Sequence, residues 1–330
     1  MVTIKQIAAE AGVSKSTVSR YLNKGYVSQN SAEKIKKIID KYNFSPNEFA
    51  RNLKAEKSKF IGVIIPRIDS LSVMAMLEGI DRQARAAGYQ ILISNTDLEE
   101  KGEIESLNYL VQNKVAGIIL IATEISKEHL NTVHQIPIPV IFVGQSHKEV
   151  YSVNHDNYLA GKKLATALLA SPLENVVYIG VSEKDISVGI ERKAGVLDTF
   201  KKAGISVKII HSTFRAEDTY RLGLELMKKE AKALYIAATD NMALGLIKAA
   251  HELALPVGET VSITGFGGYG FGEYLLPSLT TVDFHYKEVG EVAADRLYQK
   301  IQGQEIPKET MIETSVLFRD SAFKKTVDNE

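Results

Sequence analysis

The 330-residue chain contains no cysteine, which excludes a disulfide framework and a thiolate metal site. It has no apolar run of 18 residues, so no segment qualifies as a transmembrane helix. The N-terminus lacks a signal peptide's apolar core, because Lys5, Glu10 and Lys15 interrupt it, and a cytoplasmic protein without membrane association is expected. Catalytic patterns are also missing. His155-Asp156 is a lone pair with no nucleophile at recognisable spacing, and no metal-ligand cluster is present, so no enzyme, metal or cofactor is expected. No leucine heptads follow residue 300, so no C-terminal coiled coil is expected.

Net charge is absent too, but the zero conceals an asymmetry. Residues 1–59 hold 12 Lys and Arg against 5 Asp and Glu, a net of +7, leaving 28 against 35, a net of −7, for residues 60–330. A basic head on an acidic body suits a polyanion partner at one end only. The head spells a helix, a glycine turn and a second short helix over residues 4–23. Ala8, Gly12 and Val18 sit where crossed helices need a small contact, a left-handed turn and a buried apolar residue. Ser14 can cap the second helix, leaving Lys15, Ser16, Thr17, Ser19 and Arg20 on the face such a helix turns toward base edges and phosphates. Ser28 can cap a third helix, whose Ile35, Ile38, Ile39 and Tyr42 form one apolar stripe. Residues 47–54 are too short to hold a helix alone and are a hinge candidate.

From Phe60, runs of Ile, Val and Leu alternate with amphipathic stretches. Strands are expected near 60–65, 90–96, 117–122 and 139–144, and again at 176–180, 206–212, 233–238 and 262–266. Continuous apolar strands separated by helices imply parallel sheets covered on both faces. Two such sets make two α/β lobes, and a ligand is expected beyond the carboxyl ends of the strands, in the cleft. Gly265-Phe-Gly-Gly-Tyr-Gly270 matches the letters of a dinucleotide fingerprint, but Pro277 falls where its helix should run.

The opening helices, Pro46-Asn47-Glu48-Phe49-Ala50-Arg51-Asn52-Leu53, Asp156-Asn157-Tyr-Leu-Ala-Gly161, Ala238-Thr239-Asp240-Asn241-Met242-Ala243-Leu244-Gly245 and Ser262-Ile-Thr-Gly-Phe266 occur in order. Together they resemble the LacI/GalR family of bacterial sugar-responsive repressors over nearly the whole chain. The resemblance implies an α/β protein: an N-terminal all-α helix-turn-helix head (1–46), a hinge helix and linker (47–59), and a two-lobe body like the periplasmic binding proteins (60–330). The first lobe would span about 60–155 and 287–314, the second about 156–286 and 315–330, with three crossings between them. It further implies a sequence-specific transcription regulator, a homodimer on a near-palindromic operator, controlled by a small sugar or sugar phosphate. A sugar-binding module of periplasmic type without a DNA role is the alternative for the body.

By the same resemblance, Leu53 would wedge into a minor-groove step, with Arg51 and Asn52 on the sugar-phosphate rim. Arg192 would grip the sugar and Asp240 lie beside the cleft. Arg67, Asp69 and Ser72 follow the first strand, and Gln145, Tyr269 and Phe284 are expected wall residues. One departure is informative. Some relatives carry an aspartate pair where this chain reads Gly267-Gly268. The loop from Pro66 to Ser72 is similar to that of trehalose-responsive members, and Gly265 to Tyr269 to sucrose-responsive ones. Trehalose 6-phosphate and sucrose 6-phosphate are therefore the leading effectors, with Arg67 as phosphate partner, since a guanidinium pairs two phosphate oxygens at once.

Overall fold

The computed structural model describes residues 2–22, 25–44, 58–170 and 175–323. The chain forms two compact units, Met1–Ser58 and Lys59–Glu330.

Among the described residues, the regular elements of the first unit are helices. Helix α1 (Ile4–Ala11) opens on a capping box between Thr3 and Gln6 and closes on Gly12 at φ 65°, a left-handed conformation that glycine adopts without a Cβ penalty. Helix α2 (Lys15–Leu22) starts after Ser14, whose Oγ accepts from the Thr17 amide at 3.1 Å. Helix α3 (Gln29–Tyr42) packs on both, and Ile7, Ala8, Ala11, Val18 and Ile35 form the core. Two expectations need correction. Ser28 stands at the N-cap position of α3 but makes no side-chain cap bond; its hydroxyl donates to Ser31 Oγ instead. Tyr42 is exposed rather than part of the stripe, and its hydroxyl donates to Glu10 on α1 at 2.7 Å.

The second unit contains two six-stranded sheets. The first sheet holds β1 (Phe60–Ile65), β2 (Gln90–Asn95), β3 (Ile118–Ile121), β4 (Val140–Val143), β5 (Tyr151–His155) and β11 (Glu309–Ile312), in the order β11-β5-β4-β3-β1-β2. The second holds β6 (Val176–Gly180), β7 (Val207–His211), β8 (Leu234–Ala237), β9 (Ser262–Gly267), β10 (Thr280–Asp283) and β12 (Ser315–Leu317), in the order β12-β10-β9-β8-β6-β7. Every pairing is parallel except β10 with β12. The central strands are buried along their length, as the apolar runs of β1, β3, β4 and β6 require.

Helices α4 (Leu71–Ala86) and α11 (Tyr286–Ile301) cover one face of the first sheet, and α5 (Glu100–Gln112) and α6 (Lys127–Gln135) the other. Around the second sheet lie α7 (Asn157–Leu168), α8 (Lys193–Lys202), α9 (Ala216–Lys229) and α10 (Asp240–Glu252), with a π-helix at Ile186–Arg192 leading into α8. The chain therefore passes from one lobe to the other between β5 and α7, between β10 and α11, and between β11 and β12.

Helix pairs in both lobes cross at glycines. A Cβ at Gly79 would fall 2.0 Å from the Lys287 carbonyl oxygen, and one at Gly290 2.0 Å from that of Met76. In the second lobe Gly161 and Gly195 let α7 approach the turn that carries Arg192. Overpacking typically costs about 1–3 kcal/mol, so Gly79→Ala is expected to lower unfolding stability by at least that amount in denaturant titration. Gly102→Ala is the control. Its new methyl meets nothing closer than 3.4 Å, and a helix-interior Gly→Ala change is expected to gain about 0.5–1 kcal/mol.

Candidate functional site

On the head, Lys15, Ser16, Ser19 and Arg20 are exposed and Thr17 is half-buried. The small residues are organised by the cap: Ser14 Oγ lies 2.7 Å from Ser16 Oγ and 2.8 Å from Thr17 Oγ1. The two long cations, Lys15 and Arg20, sit at the start and in the last turn of α2, with their side chains in water. Arg51, Asn52 and Leu53 lie outside the described residues.

In the body, the carboxyl ends of the parallel strands converge on a cavity of about 210 Å³ between the lobes. Pro66 and Arg67 follow β1, Ala122 and Thr123 follow β3, Asp185 follows β6, Thr239 and Asn241 follow β8, and Tyr269 follows β9. This is where open parallel sheets place ligands. A larger groove of about 630 Å³ lies on the other side of Tyr269 and Tyr286. Both of its long cations are already paired, Arg82 with Glu291 at 3.1 Å and Lys287 with Glu78, and it lies away from most of the strand ends.

Five of the eight residues expected to face the effector line the cavity: Arg67, Asp69, Ser72, Arg192 and Tyr269. Arg192 is 3% exposed. Its guanidinium donates to the Ala238 carbonyl at 2.6 Å and to Asn157 Oδ1 through Nη2 at 2.9 Å and Nε at 3.3 Å. It also lies 4.5 Å from the Phe284 ring centre and 5.0 Å from that of Phe266. From the first lobe, Arg67 pairs with Asp69 at 3.3 Å and stacks over Phe214 of the second lobe at 5.4 Å. Tyr269 lines the cavity with Ser72 of the facing lobe and stacks on Tyr286 at 6.0 Å. Burial pushes the Tyr269 and Tyr286 phenols up, so both are neutral hydroxyls.

The other three sit elsewhere. Phe284 is 1% exposed and lies behind Arg192 as its aromatic floor. Gln145 donates to Ser187 Oγ at 3.1 Å at an interlobe contact away from the cavity. Asp240 is fully buried beneath the Tyr269 loop: Oδ2 accepts from the Tyr269 amide at 3.1 Å and Oδ1 from Thr281 Oγ1 at 2.5 Å. It positions the wall instead of touching the cavity. The sequence reading missed Asp185, Phe214, Asn241 and Tyr286. Asn241 was within reach of sequence logic, because it follows the same strand end as Asp240; Phe214 and Tyr286 carry no local pattern that points to a cleft.

Among the described residues there is no group of His, Cys, Asp and Glu able to hold a metal ion, and no helix long and apolar enough to cross a membrane. Residues 3–47 match bacterial regulatory proteins of the lacI family, and residues 165–322 match a periplasmic binding protein-like domain. The chain is 35% identical to the sucrose operon repressor of Staphylococcus xylosus, over 97% of this chain and 100% of that protein. It is 30% identical to a ribose operon repressor of Lactococcus lactis, covering 93% and 94% of the two chains. A crystal structure of the lac repressor dimer, bound to operator and the anti-inducer ONPF, shares the fold with a TM-score of 0.86 at 22% identity, covering 98% of this chain and 99% of that one.

Asp240 makes stability depend on pH. Burial pushes its carboxyl up from 3.8 to about 6, against the hydrogen bonds from Thr281, Tyr269 and Gly268 and the nearby Arg192 charge. The folded state then holds a proton that the unfolded state has lost. Its contribution is complete below pH 3.8 and is lost as pH rises through about 6. Asp240→Asn, which mimics the protonated form, is expected to remove that fall between pH 4 and 6 in unfolding titrations, leaving the variant less pH-sensitive there than the parent.

Proposed function

The chain belongs to the lacI family of bacterial regulatory proteins, and on that premise we propose that it represses a sucrose-utilisation operon under control of a phosphorylated disaccharide. As a family member it is a DNA-binding repressor with a sugar-binding body. The observation that carries the effector reading is the placement of Arg192, a buried guanidinium on an aromatic floor at the strand ends, opposite a second guanidinium, Arg67, on the facing lobe. Two cations in one small cavity suit a ligand with one anionic end and several hydroxyls. The likeness to a sucrose operon repressor supports sucrose 6-phosphate over trehalose 6-phosphate.

The head reads base edges with Lys15 and Ser16, and Thr17, Ser19 and Arg20 contact base or phosphate. Leu53 wedges into the minor groove and kinks the duplex, with Arg51 and Asn52 on the backbone. One head binds weakly, so two act together through effective concentration in a homodimer on a near-palindromic operator. This activity belongs to the cytoplasm, where the DNA is. The domain limits follow the same scheme: head 1–46, hinge and linker 47–59, body 60–330.

Two measurements test the reading. Operator affinity of the full chain should fall steeply with salt, by about 0.9 in log K per log salt for each phosphate neutralised, and Lys15→Ala should flatten the preference among operator variants. A slope near zero for the parent rejects the DNA-binding assignment. In calorimetry, Arg67→Ala should weaken binding of the phosphorylated sugar by about one to two orders of magnitude, the worth of a charge-assisted contact, and barely change binding of free sucrose. Equal losses for both ligands remove the phosphate role from Arg67.

A further inference from the structure

We propose that Asp185, from the second lobe, is the carboxylate that accepts the effector's hydroxyl groups and so selects a polyol in the cavity. The assignment rests on the sugar-effector reading above and deepens it.

Sugar hydroxyls need acceptors as well as donors, and an ionised carboxylate is a stronger acceptor than the hydroxyls and the asparagine that also line this cavity. Among the described residues only two carboxylates line the cavity, Asp69 and Asp185. Asp69 has a side chain 76% exposed and is engaged by Arg67 Nε at 3.3 Å. Asp185 is half-buried. One of its oxygens accepts the Val188 amide at 2.9 Å, and among the described residues it forms no ion pair within 4.0 Å. A carboxylate offers about four lone-pair sites, so capacity remains for a ligand. The loop after β9 offers no substitute, because a Cβ at Gly268 would fall 2.5 Å from Asp283 Oδ1 and one at Gly267 2.9 Å from the Tyr269 ring.

The backbone fixes Asp185 relative to Arg192. Asp185 precedes the π-helix that ends on Arg192, and such turns recur at functional sites. Gly189 lets that helix sit against the preceding loop, where a Cβ would fall 2.2 Å from the Ser182 carbonyl oxygen. Acceptor and donor thus stand at the two ends of one short element. A vicinal diol complements that pair, one hydroxyl donating to Asp185 while the neighbouring oxygen accepts from Arg192. Burial pushes the Asp185 carboxyl up, opposed by the Val188 and Ser187 amides and by the Arg192 and Arg67 charges. A hydroxyl donor supplied by ligand favours the ionised form in the same way.

The test is calorimetry on the full chain, as parent, Asp185→Asn and Asp185→Ala, with sucrose, sucrose 6-phosphate and trehalose 6-phosphate, alongside thermal unfolding without ligand. Asparagine caps the Val188 amide as aspartate does, so Asp185→Asn should keep the ligand-free melting temperature. It should nonetheless bind the sugar that the parent binds about 10- to 100-fold more weakly, as expected when a hydrogen bond to a charged group is lost. Affinity within twofold of the parent overturns the proposal, as does an affinity loss matched by a lower ligand-free melting temperature, because either outcome reduces Asp185 to a helix cap. A parent chain that binds none of the three sugars overturns the sugar reading itself, and this assignment with it.

Discussion

Arg192 is a full positive charge with 3% of its surface in water, and taking such a group out of solvent costs several kcal/mol unless its donors are met. Its surroundings are organised around that requirement. Asn157, the first residue of α7, supplies one oxygen to two guanidinium nitrogens; the Ala238 carbonyl, just past β8, supplies another. Phe266 and Phe284 lend their ring faces, which attract a desolvated cation. To bring Asn157 within reach, α7 must approach the Arg192 turn closely, and Gly161 permits it: a Cβ there would stand 2.2 Å from the Arg192 carbonyl oxygen. The cavity inherits this order, since the residues that satisfy Arg192 are also those that fix the strand ends.

The same aromatic group ties the site to the crossings between lobes. Phe284 stacks on Tyr286 at 5.4 Å, and Tyr286 on Tyr269, so the floor beneath Arg192 continues into the wall of the cleft and the start of α11. His155, at the first crossing, donates Nε2–H to the Phe284 carbonyl at 2.6 Å and sets its ring edge on both aromatics. Burial lowers its pKa to about 4, so the bond is made by a neutral imidazole at physiological pH. At the third crossing Ser315 meets His285 at 3.2 Å and the Thr314 carbonyl accepts from Lys163 at 2.6 Å. A ligand seated against Tyr269 therefore touches, through two stacked rings, the segments that must rotate if the lobes change their angle. It shifts that equilibrium only by its differential affinity for the two arrangements.

Much of this was legible before the structure. The eight apolar runs became β1 to β4 and β6 to β9; the inner ones are apolar because buried parallel strands carry hydrophobic residues on both faces, whereas β2 and β7 are edge strands that are only partly covered. Gly12 and Val18 announced the turn and core of the head. The remaining strands were hidden for physical reasons: β5 reads Tyr-Ser-Val-Asn-His, β10 reads Thr-Thr-Val-Asp, β11 is an edge strand, and β12 spans three residues that pair antiparallel, so none has an apolar run to show. At the site, charged residues directly after strands, Arg67 and Asp69, were readable from position alone. Asp240, expected beside the cleft, turns under the next loop: the first residue of a helix after a strand can take either direction, and here the choice depends on Gly265 and Gly267, where added side chains would collide with its carboxylate. Phe214 and Asp185 follow edge and inner strands through loops of different length, so only the tertiary fold brings them together.

The glycine pair after β9 sets the character of the cleft wall. In the sequence it reads as a missing carboxylate. In the structure it is the condition for a different wall: with no side chains at Gly267 and Gly268, the Tyr269 backbone closes onto Asp240 and its ring turns to meet Tyr286. An aspartate at Gly268 would have to displace Asp283, whose oxygen accepts the His285 amide at 2.7 Å at the second crossing. The loop thus carries, in place of a charged acceptor, an aromatic wall that joins the crossings between the lobes. Acceptor capacity for a polar ligand then comes from the other strand ends of the same lobe, where Asp185 after β6 and Asn241 after β8 line the cavity.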